Sequence, residues 1–159
     1  AKIVTEMNNS ISDNNESNMI VTLIVGILDL ETGILKLCNA GHNPPILIYP
    51  DGQVSYLEFK TQIFVGVVED FKYSDEEVVL EKESKLFLYT DGVTEAENIN
   101  KELYGEEKLL EMLSDNASSD VRTTVNVVVD SIASHVKEAE ASDDLTILLI
   151  QYEPGTANS

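Results

Sequence analysis

Between Met19 and Thr90 the sequence is a succession of short apolar runs, each closed by a turn signal, and after Glu106 the apolar spacing changes to that of helices. That switch limits the fold more than any other feature. Met19 to Leu30 reads as a buried strand, Glu31-Thr32-Gly33 as a tight turn, and Ile34 to Ala40 as the returning strand of a hairpin. Ile46 to Tyr49 and Gln53 to Phe59 flank Pro50-Asp51-Gly52 in the same way. Glu77 to Leu80 and Leu86 to Thr90 are two further strands around the charged turn Glu81 to Lys85. Glu106 to Leu113 then carries Leu109, Leu110 and Leu113 on one helical face. From Val121 onward, Val125, Val128, Val129, Ile132 and Val136 recur with a helical period despite their β-branching. Leu145 to Ile150 is a last apolar strand. The order, many strands, two helices and one returning strand, predicts an α+β layered fold with largely antiparallel sheet. No repeat and no linker divides it.

Before Met19 the pattern lapses. Asn8 to Asn18 holds one apolar residue, Ile11, among Asn, Ser, Asp and Glu, and predicts a flexible solvated loop over 8–18. Residues 154–159 read as a loose tail. The 159 residues fit one domain, with 1–153 as its ordered part.

Charge excludes several functions. Ten Lys and Arg against 29 Asp and Glu give a net charge of −19. Such a surface repels phosphate backbones and anionic lipid, which argues against nucleic acid and against membrane contact. Solubility accounts for most of the acidic residues, and hard divalent cations use the same oxygens. The single cysteine, Cys38, sits in a strand-like run without a neighbouring His and reads as a buried, inert thiol in a reducing compartment. The longest apolar stretch, Met19 to Leu28, has ten residues, about half of what a membrane span needs. Ala1 opens a polar, helix-like segment and not a charged head followed by an apolar block, so the expectation is a cytoplasmic protein.

Two acidic motifs are attached to buried strands. In Leu86-Phe87-Leu88-Tyr89-Thr90-Asp91-Gly92 an apolar strand ends on a carboxylate, and Gly92 lets the chain turn at once. In Ser142-Asp143-Asp144-Leu145-Thr146 two adjacent carboxylates precede the last strand. Adjacent like charges are unfavourable unless water or a metal compensates them. Asp91 and Asp143 are 52 positions apart, so only the fold can unite them. Taken singly, each reads as an ordinary turn or cap. His42, in Gly41-His42-Asn43-Pro44-Pro45, lacks a partner acid in sequence reach and reads as a loop-structuring residue, and His135 reads as surface.

Together and in order, Val21-Thr22-Leu23, Asn39-Ala40-Gly41-His42-Asn43-Pro44-Pro45, Tyr89-Thr90-Asp91-Gly92-Val93-Thr94-Glu95-Ala96 and Asp143-Asp144-Leu145-Thr146 resemble the stage II sporulation protein E-like family. These are bacterial protein phosphatase 2C-like enzymes that include the sigma-B regulator phosphatases. The resemblance runs from Met19 to Ile150. It implies a sandwich of antiparallel sheets flanked by helices, with two Mn²⁺ or Mg²⁺ ions activating a water that attacks phosphoserine or phosphothreonine. It implies metal ligation by Asp91 and Asp143, with Asp144 as a neighbouring or alternative ligand, and supporting roles for Thr94, Glu95 and Thr146. The implied substrate is a phosphorylated regulatory protein such as an anti-sigma-factor antagonist.

One departure qualifies this. The family opens with a Gly-Asp-aromatic-aromatic-Asp strand whose Asp bridges both metals, and no such motif precedes Met19. Asp13 and Asp29 do not replace it. The resemblance therefore implies an N-terminally truncated or degenerate domain with a partial metal site, low activity alone, and an exposed sheet edge through which two copies could pair. The alternative is a catalytically inactive regulatory or protein-binding module. A haloacid-dehalogenase-like phosphatase is disfavoured, because the Asp-x-Asp it needs is absent: Tyr89 stands two residues before Asp91.

Overall fold

The computed structural model describes residues 1–13, 15, 19–139 and 143–154. Contacts divide the chain into two units, one of Ala1–Pro44 and Glu58–Leu80, the other of Pro45–Leu57 and Glu81–Glu153.

The first unit holds helix α1 (Lys2–Ser12) and strands β1 (Leu23–Leu28), β2 (Ile34–Ala40) and β5 (Glu76–Val79). They form an antiparallel sheet in the order β1-β2-β5. Leu23 pairs with Ala40 and Leu28 with Leu35, closing the expected hairpin. Its turn is held by Asp29, whose carboxylate accepts the amides of Glu31 and Thr32 at 2.9 and 3.0 Å. The Thr32 amide, first among these bonds, holds the Asp29 carboxyl below its ordinary range. Asp29 is thereby accounted for as a turn residue.

Helix α1 runs on to Ser12, so residues 8–12 of the expected loop are helical. The correction has a clear cause. Asn8 is fully buried, its amide donating to the Val68 carbonyl at 2.9 Å and its oxygen accepting from the Gly66 amide at 2.9 Å. Polar composition suggested solvent, but those polar atoms are satisfied by the protein's own backbone. Residues 14 and 16–18 of the same expected loop lie outside the described residues. Val4 of α1 packs with Cys38, Ala40, Val65 and Tyr73. Cys38 is 1% exposed, and burial pushes its thiol pKa up.

The second unit holds β3 (Ile46–Ile48), β4 (Val54–Tyr56), β6 (Lys85–Tyr89), α2 (Glu106–Asp115), α3 (Val121–Val136) and β7 (Ile147–Gln151). Its antiparallel sheet has the order β4-β3-β6-β7. Along β6, Phe87 and Tyr89 join Ile46 and Ile48 of β3, Leu149 of β7, Leu109 and Leu113 of α2, and Val128 and Ile132 of α3 in one core. Burial of a side chain such as Phe87 stabilises by roughly 1.5–3 kcal/mol. Lys85, on the same strand, is buried and donates to the carbonyls of Ala117 and Ser119 at 2.7 and 2.5 Å, fastening the α2–α3 connection to the sheet.

Both helices start where electrostatics favour it. Glu106 and Glu107 occupy the first turn of α2, where carboxylates complement the helix dipole. Asp120 caps α3 by accepting the Thr123 amide at 3.0 Å. Val129, expected on the apolar face of α3, is 39% exposed, because one step past Val128 turns it away from the core. The helical period outweighs the β-branching in α3 because tertiary packing sets helix stability more than propensity does. Among the described residues no helix is long and apolar enough to cross a membrane.

Candidate functional site

Strand β6 ends at Tyr89, opposite Ile147 at the start of β7. The chain beyond each end carries one acidic motif, so both lie at the same end of the sheet. Pairing continues past the formal strands: the Thr90 amide donates to the Thr146 carbonyl at 3.1 Å. The Thr90 hydroxyl accepts the Thr146 amide at 3.2 Å and donates to the Asp144 carbonyl at 3.3 Å. Thr90 is thus the joint between the two motifs.

Asp91–Val93 forms a single 3-10 turn. The Asp91 carboxylate accepts the Gly92 amide at 3.0 Å, and the Asp91 carbonyl accepts the Glu95 amide at 2.8 Å and the Thr94 hydroxyl at 3.3 Å. The Thr94 hydroxyl and the Glu95 backbone amide therefore hold the turn. Gly92 is buried, and a Cβ there would lie 2.5 Å from the Asp144 carbonyl oxygen, so only glycine admits this approach.

Asp143 and Asp144 are both exposed, and the Asp143 carboxylate accepts the Asp144 amide at 2.7 Å. Asp91 is exposed as well. The backbone carrying Asp91 is thus bonded to the backbone carrying Asp143 and Asp144. Among the described residues, no group of three His, Cys, Asp or Glu side chains is gathered as a metal-holding cluster. Tyr89, next to the joint, is buried, and desolvation first of all drives its phenol pKa far above the ordinary value, so it remains neutral.

His42 stands on a loop that is fixed from several sides. Its amide donates to the Asn39 side chain at 2.8 Å, and the Asn39 amide group donates to the His42 carbonyl at 2.9 Å. The imidazole Nδ1 lies 3.3 Å from the Thr22 hydroxyl. Asn39 does more of the loop-structuring than the histidine. His135 is half-buried: its Nε2 is 2.9 Å from the Glu102 carbonyl, and its ring meets Tyr104 edge-on at 5.7 Å. Sequence reasoning placed it at the surface and missed this contact. Thr90 was visible only as part of a motif, because a hydroxyl that accepts and donates across 56 positions leaves no local trace.

This arrangement of helices and antiparallel sheets is the fold of protein phosphatase 2C-like domains. The PP2C domain of SiaA from Pseudomonas aeruginosa matches 96% of this chain and 61% of its own, with a TM-score of 0.82 at 20% identity. The manganese-presoaked phosphatase domain of the cell-fate determinant SpoIIE from Bacillus subtilis matches 98% of this chain and 76% of its own, with a TM-score of 0.66 at 14% identity. The chain belongs to the stage II sporulation protein E (SpoIIE) family, whose model matches residues 1–153. Curated relatives include Protein IcfG of Synechocystis sp., 27% identical over 87% of this chain and 22% of that protein. Phosphoserine phosphatase RsbU of Bacillus subtilis is 22% identical over 95% of this chain and 44% of its own length. The chain therefore spans less than half of either relative.

Proposed function

We propose that this chain carries part of the metal site of a cytoplasmic, metal-dependent serine/threonine protein phosphatase. Its substrate would be phosphoserine or phosphothreonine on a regulatory protein such as an anti-sigma-factor antagonist. The observation behind this reading is the joint at Thr90, which ties the Asp91-Gly92 turn to the Asp143-Asp144 turn.

Asp91, Asp143 and Asp144 are the residues that would hold Mn²⁺ or Mg²⁺. Their chemistry fits, since both ions take carboxylate oxygens. Asp91 and Asp143 each direct an oxygen to a neighbouring amide, which fixes the carboxylate and leaves its remaining acceptor capacity for a cation. Among the described residues these three carboxylates are not gathered into one metal-holding cluster, so the chain offers at most a partial ligand set, and water would fill the other positions of an octahedral ion. A bound cation supplies a water of lowered pKa and a clamp for phosphoryl oxygens. The chain's own part is positioning: Thr90 and Gly92 hold the two turns in contact, and Thr94 and Glu95 hold the Asp91 carbonyl. Self-association through the edge of β1, which bonds to β2 on one side of its sheet, belongs to the same reading and is tested by size-exclusion chromatography.

Calorimetric titration with Mn²⁺, together with hydrolysis of a phosphoserine peptide, tests the site. The expected result is weak binding by residues 1–159. In the intact protein, Asp91→Asn and Asp143→Asn should each reduce turnover by at least about a hundredfold, more than the loss usual for groups that only orient a ligand. Unchanged metal affinity and turnover in both variants would overturn the assignment.

A further inference from the structure

We propose that the hairpin from Glu97 to Leu103, with the cleft beside it at the start of α2, docks the protein substrate, and that it selects a segment with an apolar side chain among basic ones. The proposal deepens the phosphatase reading and rests on it for the nature of the partner.

Ile99 is 69% exposed, the most exposed large apolar side chain among the described residues, and Leu103 is 54% exposed. Such side chains are unremarkable on a loose loop, but this hairpin is fixed. The Asn98 side-chain oxygen accepts the amides of Asn100 and Glu102 at 2.8 and 3.1 Å, and its amide group donates to the Glu102 carboxylate at 2.7 Å. The Asn98 backbone adds bonds to Glu102 and Lys101 at 3.0 and 2.9 Å. His135 holds the Glu102 carbonyl from α3, and the Tyr104 hydroxyl donates to Ser131 at 3.0 Å. An apolar side chain carried on a fixed backbone costs less to order on binding than one on a loose loop, which favours it as a binding anchor.

The hairpin is also continuous with the acidic site. The Tyr104 and Gly105 amides donate to the carbonyls of Ala96 and Thr94 at 2.9 Å each, and Thr94 in turn bonds to the Asp91 carbonyl. A segment lying along the hairpin is thus led towards the Asp91 turn.

Charge decides what that segment is. From Glu95 to Glu111 there are six glutamates and two lysines. Lys101 is paired with Glu97 at 2.7 Å, and Lys108 lies over the Tyr104 ring at 4.8 Å. Glu106, Glu107 and Glu111 have no cationic partner among the described residues. With Leu103, Tyr104 and Lys108 they line an open cleft of about 500 Å³, room for a bulky side chain, in which three carboxylates face one ammonium. A second copy of a chain with net charge −19 would bring the same negative field to this face, so self-pairing here is opposed. Lys or Arg beside an apolar residue is complementary.

The test uses fluorescein-labelled peptides and fluorescence anisotropy, with EDTA present so that nothing is hydrolysed. One peptide carries phosphoserine flanked by Leu and Lys, and a second has Glu in place of Lys. The first should bind at least about tenfold more tightly, and Ile99→Asp and Glu107→Lys should each weaken it by about tenfold, as loss of an anchor does. Both positions are exposed, and because Glu107→Lys loses a favourable first-turn charge of α2, circular dichroism checks that each variant keeps its helices. Equal binding of the two peptides, or affinity untouched by both substitutions, overturns the proposal. Hydrolysis of p-nitrophenyl phosphate with Mn²⁺ is read separately on the intact protein. Turnover without peptide preference removes the docking surface alone, and peptide preference without turnover removes the phosphatase reading alone.

Discussion

Gly92 and the carbonyl of Asp144 are in contact at a distance that leaves no space for a side chain: a Cβ on Gly92 would stand 2.5 Å from that oxygen. The neighbour is backbone, which cannot rotate aside. Gly92→Ala should therefore push the two acidic turns apart and destabilise the fold by about 1–3 kcal/mol, the usual cost of overpacking. Urea unfolding of the variant measures it. A variant as stable as the parent would mean that the turns are not packed as described.

Thr90 offers a gentler probe of the same joint. Thr90→Val keeps the shape but removes the hydroxyl that accepts from Thr146 and donates to Asp144. The expected loss is about 0.5–1.5 kcal/mol, with Thr146 returned to faster amide hydrogen exchange. Thr90→Ser retains the hydroxyl and should recover most of the protection. Equal exchange at Thr146 in all three proteins would remove Thr90 from its role.

Cys38 gives a prediction with a pH sign. Burial raises its folded-state pKa above the unfolded value, so above that unfolded value the unfolded chain loses its proton first. Stability should fall as pH rises through this window, and Cys38→Ala should flatten the dependence on that limb. Reaction with a disulfide reagent should require opening of the first unit and follow its unfolding rate. Immediate labelling of the native protein would contradict the burial.

Much of the fold was legible because its signals are local. The β1–β2 hairpin announced itself through Glu31-Thr32-Gly33 between apolar runs, and α2 and α3 through their period. The strands are shorter than their apolar runs, as at Met19 to Leu30, of which Leu23–Leu28 forms β1. The expected burial of this run is corrected too: Met19, Ile20, Ile27 and Leu30 are exposed and no residue of β1 is fully buried, since β1 is the edge strand of its sheet, and a strand ends where its ladder bonds end. Both acidic motifs could be found because each adjoins a buried strand. Their meeting was implied only by the family resemblance and not by the residues themselves, since it depends on the register of Tyr89 with Ile147 and on Thr90. The error over 8–12 has the same origin. Asn8 is polar in sequence, and its partners Gly66 and Val68 are some 60 positions away.

Asn8 supplies the last prediction. Its side chain closes two bonds to the backbone of the 66–68 segment, and its oxygen also lies 3.4 Å from the Tyr73 hydroxyl. Thr5 of the same helix accepts the Tyr73 amide at 3.2 Å, so α1 is tied to this segment by polar contacts as well as by Val4. Asn8→Ala leaves the Gly66 amide and the Val68 carbonyl without these partners on a partly exposed segment, at a cost of about 0.5–1.5 kcal/mol. Asn8→Leu, of similar volume, should be no better, because it fills the space but still strands both backbone groups. Asn8→Asp keeps an acceptor for Gly66 but sets a carboxylate against the Val68 carbonyl, which should make it the least stable at neutral pH and improve it on acidification. Thermal unfolding of the three variants between acid and neutral pH distinguishes these effects. If all three matched the parent, α1 would be held by its apolar face alone.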